Sequence, residues 1–237
     1  MTQLNNQIIV ALDHPDLKKV EELILNLKDL ISYYKIGLEL FSSCGWTAVD
    51  LVKKHGGRVF LDLKLHDIPN TVARTAAVIC DHGVDMFNVH TLGGLEMMQR
   101  TAEAVASKVT AGYPPVVLGV TILTSHTRDS IAQVFDSEKP IEIQGHVVHL
   151  ARMAKLAGLN GVVSSPLEIE KIREELGHDF VLVTPGIRPQ GSAKNDQKRT
   201  LTPKQALDAG SNYLVIGRPI TAAENPQKAA ESILASL

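Results

Sequence analysis

Residues 58–67 read RVFLDLKLHD, an apolar run whose second half carries charge at alternate positions. Side chains two apart in a strand share a face, so Asp62, Lys64 and His66 are predicted on one side and Leu61, Leu63 and Leu65 on the other. The leucines suit a surface packed on helices. The charges then point into a barrel at its C-terminal rim, where barrel enzymes keep their active sites. A structural ion pair would also explain one acid beside one base, although desolvation makes such pairs weak stabilisers. Asp13 at the end of the first apolar run and Lys35 in the second weigh against that reading, because an isolated pair has no need of them.

Outward from this stretch, short Val- and Ile-rich runs alternate with longer segments of helical spacing, the pattern of βαβ units. Strands are predicted at 7–12, 33–37, 58–63, 86–90, 116–121, 161–164, 181–184 and 213–216. Leu17, Val20, Leu23, Ile24 and Leu27 form one apolar helical stripe, and Val147, Leu150, Ala151 and Ala154 another. Gly56, Gly57, Gly83, Gly158 and Gly210 are expected to end helices. No Pro-, Gly- or Ser-rich linker divides the 237 residues. The expected fold is therefore an α/β protein, a single (β/α)8 TIM barrel over residues 1–237. Two connections, 125–140 and 187–202, exceed the usual length and are read as functional loops.

A net charge of −2 gives no global field for nucleic acid or an anionic membrane. The densest basic stretch, from Lys194 to Arg199, contains no aromatic residue on which a base would stack. Cys44 and Cys80 have neither a CxxC partner nor zinc-ligand spacing, and both are expected to be reduced. With no cationic leader and no apolar run near the ~20 residues of a membrane span, a cytoplasmic protein is expected.

The C-terminal part supplies a second chemical signal. Val215-Ile216-Gly217-Arg218-Pro219 runs a strand into a glycine and the start of a helix, and Thr184-Pro185-Gly186-Ile187-Arg188 does the same one unit earlier. Barrel phosphate sites are often built from the loops after strands seven and eight, where backbone N–H groups cradle the anion. The polar segment GSAKNDQKR, residues 191–199, has the composition of a closing lid. Together these features imply a phosphorylated small molecule facing an array of carboxylates and ammonium groups.

The segments ALD, KIGLELF, LDLKLHDIPNT, VTPGIRP, NDQKR and VIGRPI resemble the orotidine 5′-phosphate decarboxylase family over essentially the whole chain. The resemblance implies decarboxylation of orotidine 5′-phosphate to UMP with no cofactor and no metal. In it, Lys64 looks like the proton donor to C6, and Asp62 like the carboxylate set against that of the substrate. Asp13 and Lys35 would hold the ribose hydroxyls, with Lys35 also bracing Asp62. Thr124 would recognise the pyrimidine, and Gln197 would bridge base and phosphate. Arg188, Gly217 and Arg218 would hold the phosphate, with Ile68 and Pro185 also among the substrate-binding positions. Asp67 and Thr71 would reach the neighbouring subunit's site, which implies a homodimer with Asp67 in the catalytic set.

Three other readings stay open at this point. One is a Mg-dependent decarboxylase of a phosphorylated keto-sugar acid, which shares the Asp-x-Lys-x-x-Asp strand. Another is a Schiff-base barrel built on Lys64 or Lys35, which neighbouring carboxylates oppose by keeping the lysine charged. The last is a barrel that binds a nucleotide without catalysis. His66 and His90 are read as supporting residues, Phe41 and Trp46 as helix packing, and Met97 and Met98 as core or interface filling.

Overall fold

The apolar runs fold as strands because period-two alternation gives each one an inner and an outer row. In the computed structural model, which describes residues 5–108, 114–189 and 200–237, they are all parallel. They are β1 (Asn5–Ala11), β2 (Ile31–Gly37), β3 (Arg58–Leu65), β4 (Met86–His90), β5 (Val116–Val120), β6 (Gly161–Val163), β7 (Val181–Thr184) and β8 (Tyr213–Ile216). They close in sequential order, with β8 paired to β1 from Ile8↔Leu214 to Val10↔Ile216. Every strand expected from the sequence is present, and those at 86–90, 181–184 and 213–216 keep the expected ends.

The two rows build two cores. Ile9, Ala11, Tyr33, Phe60, Met86, Leu118, Val183 and Val215 fill the barrel interior. The opposite row, including Ile8, Val10, Ile36, Val59 and Leu61, packs against the helices. At the N-terminal end the interior is plugged by Tyr33, edge-on to Tyr213 at 5.8 Å, with the Arg58 guanidinium 4.5 Å from its ring centroid. A filled bottom leaves the other end as the place where the interior opens into cavities.

The helices follow their stripes. Leu17–Leu27 starts at Asp16, whose carboxylate accepts from the Lys18 N–H at 2.9 Å, and it buries Val20, Ile24 and Leu27. Ile143–Leu156 is capped by Glu142 and buries the four stripe residues named above. Each buried aliphatic side chain is worth about 1.5–3 kcal/mol. Gly83 and Gly158 follow helix ends at φ of 62° and 83°, which side chains disfavour. Gly57 serves packing instead: a Cβ there would lie 2.8 Å from Val52 Cγ1.

Residues 125–140 are not one long loop. Arg128–Val134 is a helix, entered through a capping box between Thr127 and Ser130 and anchored by Ile131 and Ala132. Seven residues with two buried positions are too short for a periodic signal, which hid this helix in the sequence. Phe41 and Trp46 meet edge-on at 5.1 Å, and Trp46 stacks on His82 at 3.7 Å. Met97 and Met98 are fully buried in the outer core. Among the described residues no helix is long and apolar enough to cross a membrane.

Candidate active site

The site grows from an irregularity in β3. Phe60 and Asp62 point inward as period two predicts, but the β3–β4 register shifts between Leu61↔Phe87 and Leu65↔Val89. Within that bulge Lys64 takes φ +53°, a conformation that costs a non-glycine residue about 1–3 kcal/mol. Its backbone N–H leaves the ladder and donates to Asn88 Oδ1 at 2.8 Å. The bulge aims Lys64 into the cavity, whereas His66, predicted beside it, lies exposed at the rim and stacks on His90 at 5.4 Å.

Four charges alternate in a chain across three strand ends. Lys35 Nζ donates to Asp13 Oδ1 at 3.0 Å and lies 3.4 Å from Asp62 Oδ2. Lys64 Nζ donates to Asp62 Oδ1 at 2.8 Å, and Asn88 Nδ2 donates to the same oxygen at 2.7 Å. Burial pushes the Asp62 carboxyl up, but the charges of Lys35 and Lys64 and the hydrogen bonds from Lys64 and Asn88 outweigh it and hold it below the usual carboxylate range. Burial likewise opposes the Lys35 charge, and Asp62 with Asp13 overcomes it, leaving Lys35 raised. Asp62 and Lys35 are thus held ionised.

Asn88, buried at 1 % exposure, was not singled out from the sequence. Its signal is a polar residue in MFNVH at the same parity as inward-facing Met86. Gly37 is a second such residue. A Cβ there would meet Lys35 Nζ at 2.8 Å and Asp13 Oδ1 at 3.2 Å. Its φ of −94° suits any residue, so the demand is for space alone. Gly37→Ala is therefore expected to melt near the native temperature, because a flexible side-chain end can yield. The displaced ammonium should lower kcat/KM by about 10- to 100-fold. Steady-state kinetics beside a thermal melt tests this, and native kcat/KM would refute it.

Two cavities open on these charges. One, of about 290 Å³, is bounded by Lys35, Asp62 and Lys64 on one side and by Ile122, Leu123, Thr124, Ser125, Val163 and Ser164 on the other. The second, of about 400 Å³, is lined by Asp13, Gly186, Arg188, Gly217 and Arg218. Lys35, Pro185 and Val215 belong to both, so one ligand can span them. Arg188 is largely buried, and burial together with the nearby Arg218 charge pushes its pKa down. Two guanidinium groups lining one end of this cavity suit an anionic ligand.

The structure thus gathers Asp13, Lys35, Asp62, Lys64, Thr124, Pro185, Arg188, Gly217 and Arg218 around the adjoining cavities. It does not bring Asp67, Ile68 or Thr71 to them. All three are exposed, Ile68 at 67 %, at the start of the helix Pro69–Asp81. Asp67 Oδ1 accepts from the Ile68 N–H at 2.7 Å. Gln197 and the rest of 190–199 lie outside the described residues.

His90 edges this rim and carries a pH dependence. Burial, then His66, Lys64 and His126, lowers its pKa from 6.5 to about 4. Its Nδ1 accepts from the Leu92 N–H at 3.3 Å, as the neutral ring requires. Between pH 6.5 and about 4 the unfolded chain holds the extra proton. Stability from this group is therefore complete above pH 6.5 and falls as pH drops towards 4. The urea midpoint of the native protein should fall more from pH 7 to pH 5 than that of His90→Asn, and equal falls would refute it.

An eight-stranded barrel with a guanidinium-lined anion cavity and an alternating carboxylate–ammonium chain at the strand ends defines a class: barrel enzymes acting on phosphorylated small molecules. Residues 6–233 match the model of the orotidine 5′-phosphate decarboxylase / HUMPS family, and the chain belongs to that family. The orotidine 5′-phosphate decarboxylase of Geobacter sulfurreducens is 49 % identical over 232 residues, covering 98 % of this chain and 96 % of that protein. That of Moorella thermoacetica is 50 % identical over 234 residues, covering 98 % and 92 %. The crystal structure of orotidine 5′-phosphate decarboxylase from Lactobacillus acidophilus superposes with a TM-score of 0.83 at 36 % identity, covering 98 % of each chain.

Proposed function

We infer that this protein decarboxylates orotidine 5′-phosphate to UMP, the closing step of de novo pyrimidine nucleotide synthesis. The observation that carries this reading is the alternating chain Asp13–Lys35–Asp62–Lys64 at the mouth of a cavity continuous with an Arg-lined one. In the proposed reaction the phosphate sits between Arg188 and Arg218 near Gly217, with Gln197 bridging phosphate and base. Asp13 and Lys35 hold the ribose, and Thr124 meets the pyrimidine. The substrate carboxylate is then set against ionised Asp62, and like-charge repulsion raises the ground state relative to the transition state.

The C6–carboxylate bond breaks, CO2 leaves, and the electron pair remains on C6. The Lys64 ammonium stabilises that pair electrostatically and then transfers its proton to C6. The reading assigns these steps to side chains alone, without a cofactor or metal. Raised Lys35, paired with two carboxylates, is a poor Schiff-base nucleophile, which disfavours the aldolase-type alternative. Loss of pyrimidine absorbance from orotidine 5′-phosphate, measured with and without a chelator, tests the assignment. No turnover, or turnover abolished by the chelator, would overturn it.

The proposal includes a homodimer in the cytoplasm. Exposed Asp67, Ile68 and Thr71 on one helix start supply the partner's cavity, which explains an apolar side chain left in solvent at the rim. Lys64→Ala and Asp67→Ala should each be inactive alone. Mixed under subunit exchange, they should recover about a quarter of native activity, since half the dimers are hybrids with one intact site of two. No recovery despite mass-verified hybrids would show that Asp67 acts in its own subunit.

A further inference from the structure

The cavity lined by Arg188 and Arg218 does not end at the Arg218 side chain. A further cavity of about 440 Å³ adjoins it, and Asp13, Arg218 and Thr221 line both spaces. Buried Leu12 and Val20 form part of its wall, and Lys19, Glu22 and Asn26 of the helix Leu17–Leu27 lie along one side. The proposed decarboxylation uses none of these three.

The charges of this outer cavity are uncommitted. Lys19 is exposed and makes no hydrogen bond or ion pair among the described residues. Asp13 is engaged by Lys35 at 3.0 Å, so Glu22 is the carboxylate that opposes Lys19 on this wall, and no ion pair joins the two. His14 Nδ1 accepts from the Asp16 N–H at 3.0 Å, which leaves the proton of the neutral ring on Nε2 as a donor.

The junction at Arg218 limits what can occupy both spaces. A nucleotide with its ribose on Asp13 and Lys35 and its phosphate between Arg188 and Arg218 reaches the outer cavity only by extension from a phosphate oxygen. A phosphoanhydride is such an extension. It brings added negative charge towards Lys19, and the five N–H donors of a guanidinium let Arg218 serve oxygens of both phosphoryl groups.

We propose that the outer cavity is a β-phosphate subsite through which the enzyme binds UDP, the phosphorylated form of its own product, as a competitive inhibitor. This rests on the substrate assignment above. UDP forms from UMP by transfer of one phosphoryl group, so its accumulation reports a sufficient supply of UMP and blocks the site that makes more. The subsite takes no part in decarboxylation, because orotidine 5′-phosphate has no group to place there.

The test compares UMP and UDP on the native protein, Lys19→Ala and Glu22→Gln, by calorimetry, by inhibition of orotidine 5′-phosphate turnover and by a thermal melt. On the native protein UDP should inhibit competitively and bind as tightly as UMP to within about threefold, or tighter. Lys19→Ala should weaken UDP by about three- to tenfold and Glu22→Gln should tighten it by about two- to threefold, with UMP affinity, kcat and melting temperature unchanged in both. UDP weaker than UMP by more than about threefold overturns the proposal, since the β-phosphate then finds no subsite. UDP binding to protein already saturated with UMP overturns it by placing UDP elsewhere. Equal losses for the two nucleotides in Lys19→Ala, or none for either, overturn it as well. If the native protein neither binds UMP nor turns over orotidine 5′-phosphate, the substrate assignment has failed; if it does both and UDP fails, only the subsite has.

Discussion

Lys64→Ala is expected to lower kcat for orotidine 5′-phosphate by at least about 10⁴-fold while UMP affinity stays within about tenfold of native. In the proposed mechanism the substitution removes both the positive charge beside the developing carbanion and the proton that quenches it, and among the described residues no other ammonium is placed to substitute. Lys35 is the nearest candidate, but it is already committed to Asp13 and Asp62 at 3.0 and 3.4 Å. The fold should survive because Asp62 keeps Lys35 and Asn88 as partners. Alanine keeps the Cβ, so the strain at φ +53° persists and the variant loses only the ion pair. Absorbance-monitored turnover beside a thermal melt checks this. Turnover within tenfold of native would remove Lys64 from its assigned role.

Arg218→Ala should lower kcat/KM by about 10²–10³-fold although the side chain lines the cavity away from Lys64. In the proposed mechanism, removing one of two guanidinium groups forfeits a charge-assisted pair with the phosphate, part of whose binding energy would organise the charged site around C6. Orotidine, which lacks the phosphate, separates this from structural damage. The variant and the native protein should process orotidine equally slowly, because the interaction is already absent. A deficit on orotidine as large as that on the nucleotide would mean that Arg218 supports the fold rather than the ligand.

The acid side of stability follows from the same charges. Asp62 is held below the ordinary carboxylate pKa of about 3.9, so its contribution is complete above that value and is lost as pH falls towards its lower folded value. Lys35 has the opposite sign. Its stabilisation is complete below the ordinary lysine pKa of about 10.4 and is lost as pH rises through its higher folded value.

Much of this was legible in one dimension. Alternation of apolar runs with helical stripes predicted each strand of the barrel, and the parity of Phe60 and Asp62 set which face of β3 turns inward. The strand–glycine–arginine segments located Arg188 and Arg218 on one rim. The glycines at 83 and 158 marked helix ends. Asn88 was less legible, because a single inward polar residue in a strand does not say what it bonds. Gly37 was hidden for a different reason: its requirement is the absence of an atom where Lys35 Nζ meets Asp13, and that crowding exists only once β1 and β2 are paired.

The sequence by itself determined the element order, the inward row of β3 and the chemical types at the strand ends, since these depend on spacing along one chain. Only the tertiary structure decided that β3 bulges, that Lys64 rather than His66 joins Asp62, and that two cavities share Lys35, Pro185 and Val215. These depend on the register between neighbouring strands. A register shift re-aims a side chain through hydrogen bonds to another strand, here from the Lys64 N–H to Asn88, and no periodicity within β3 encodes it.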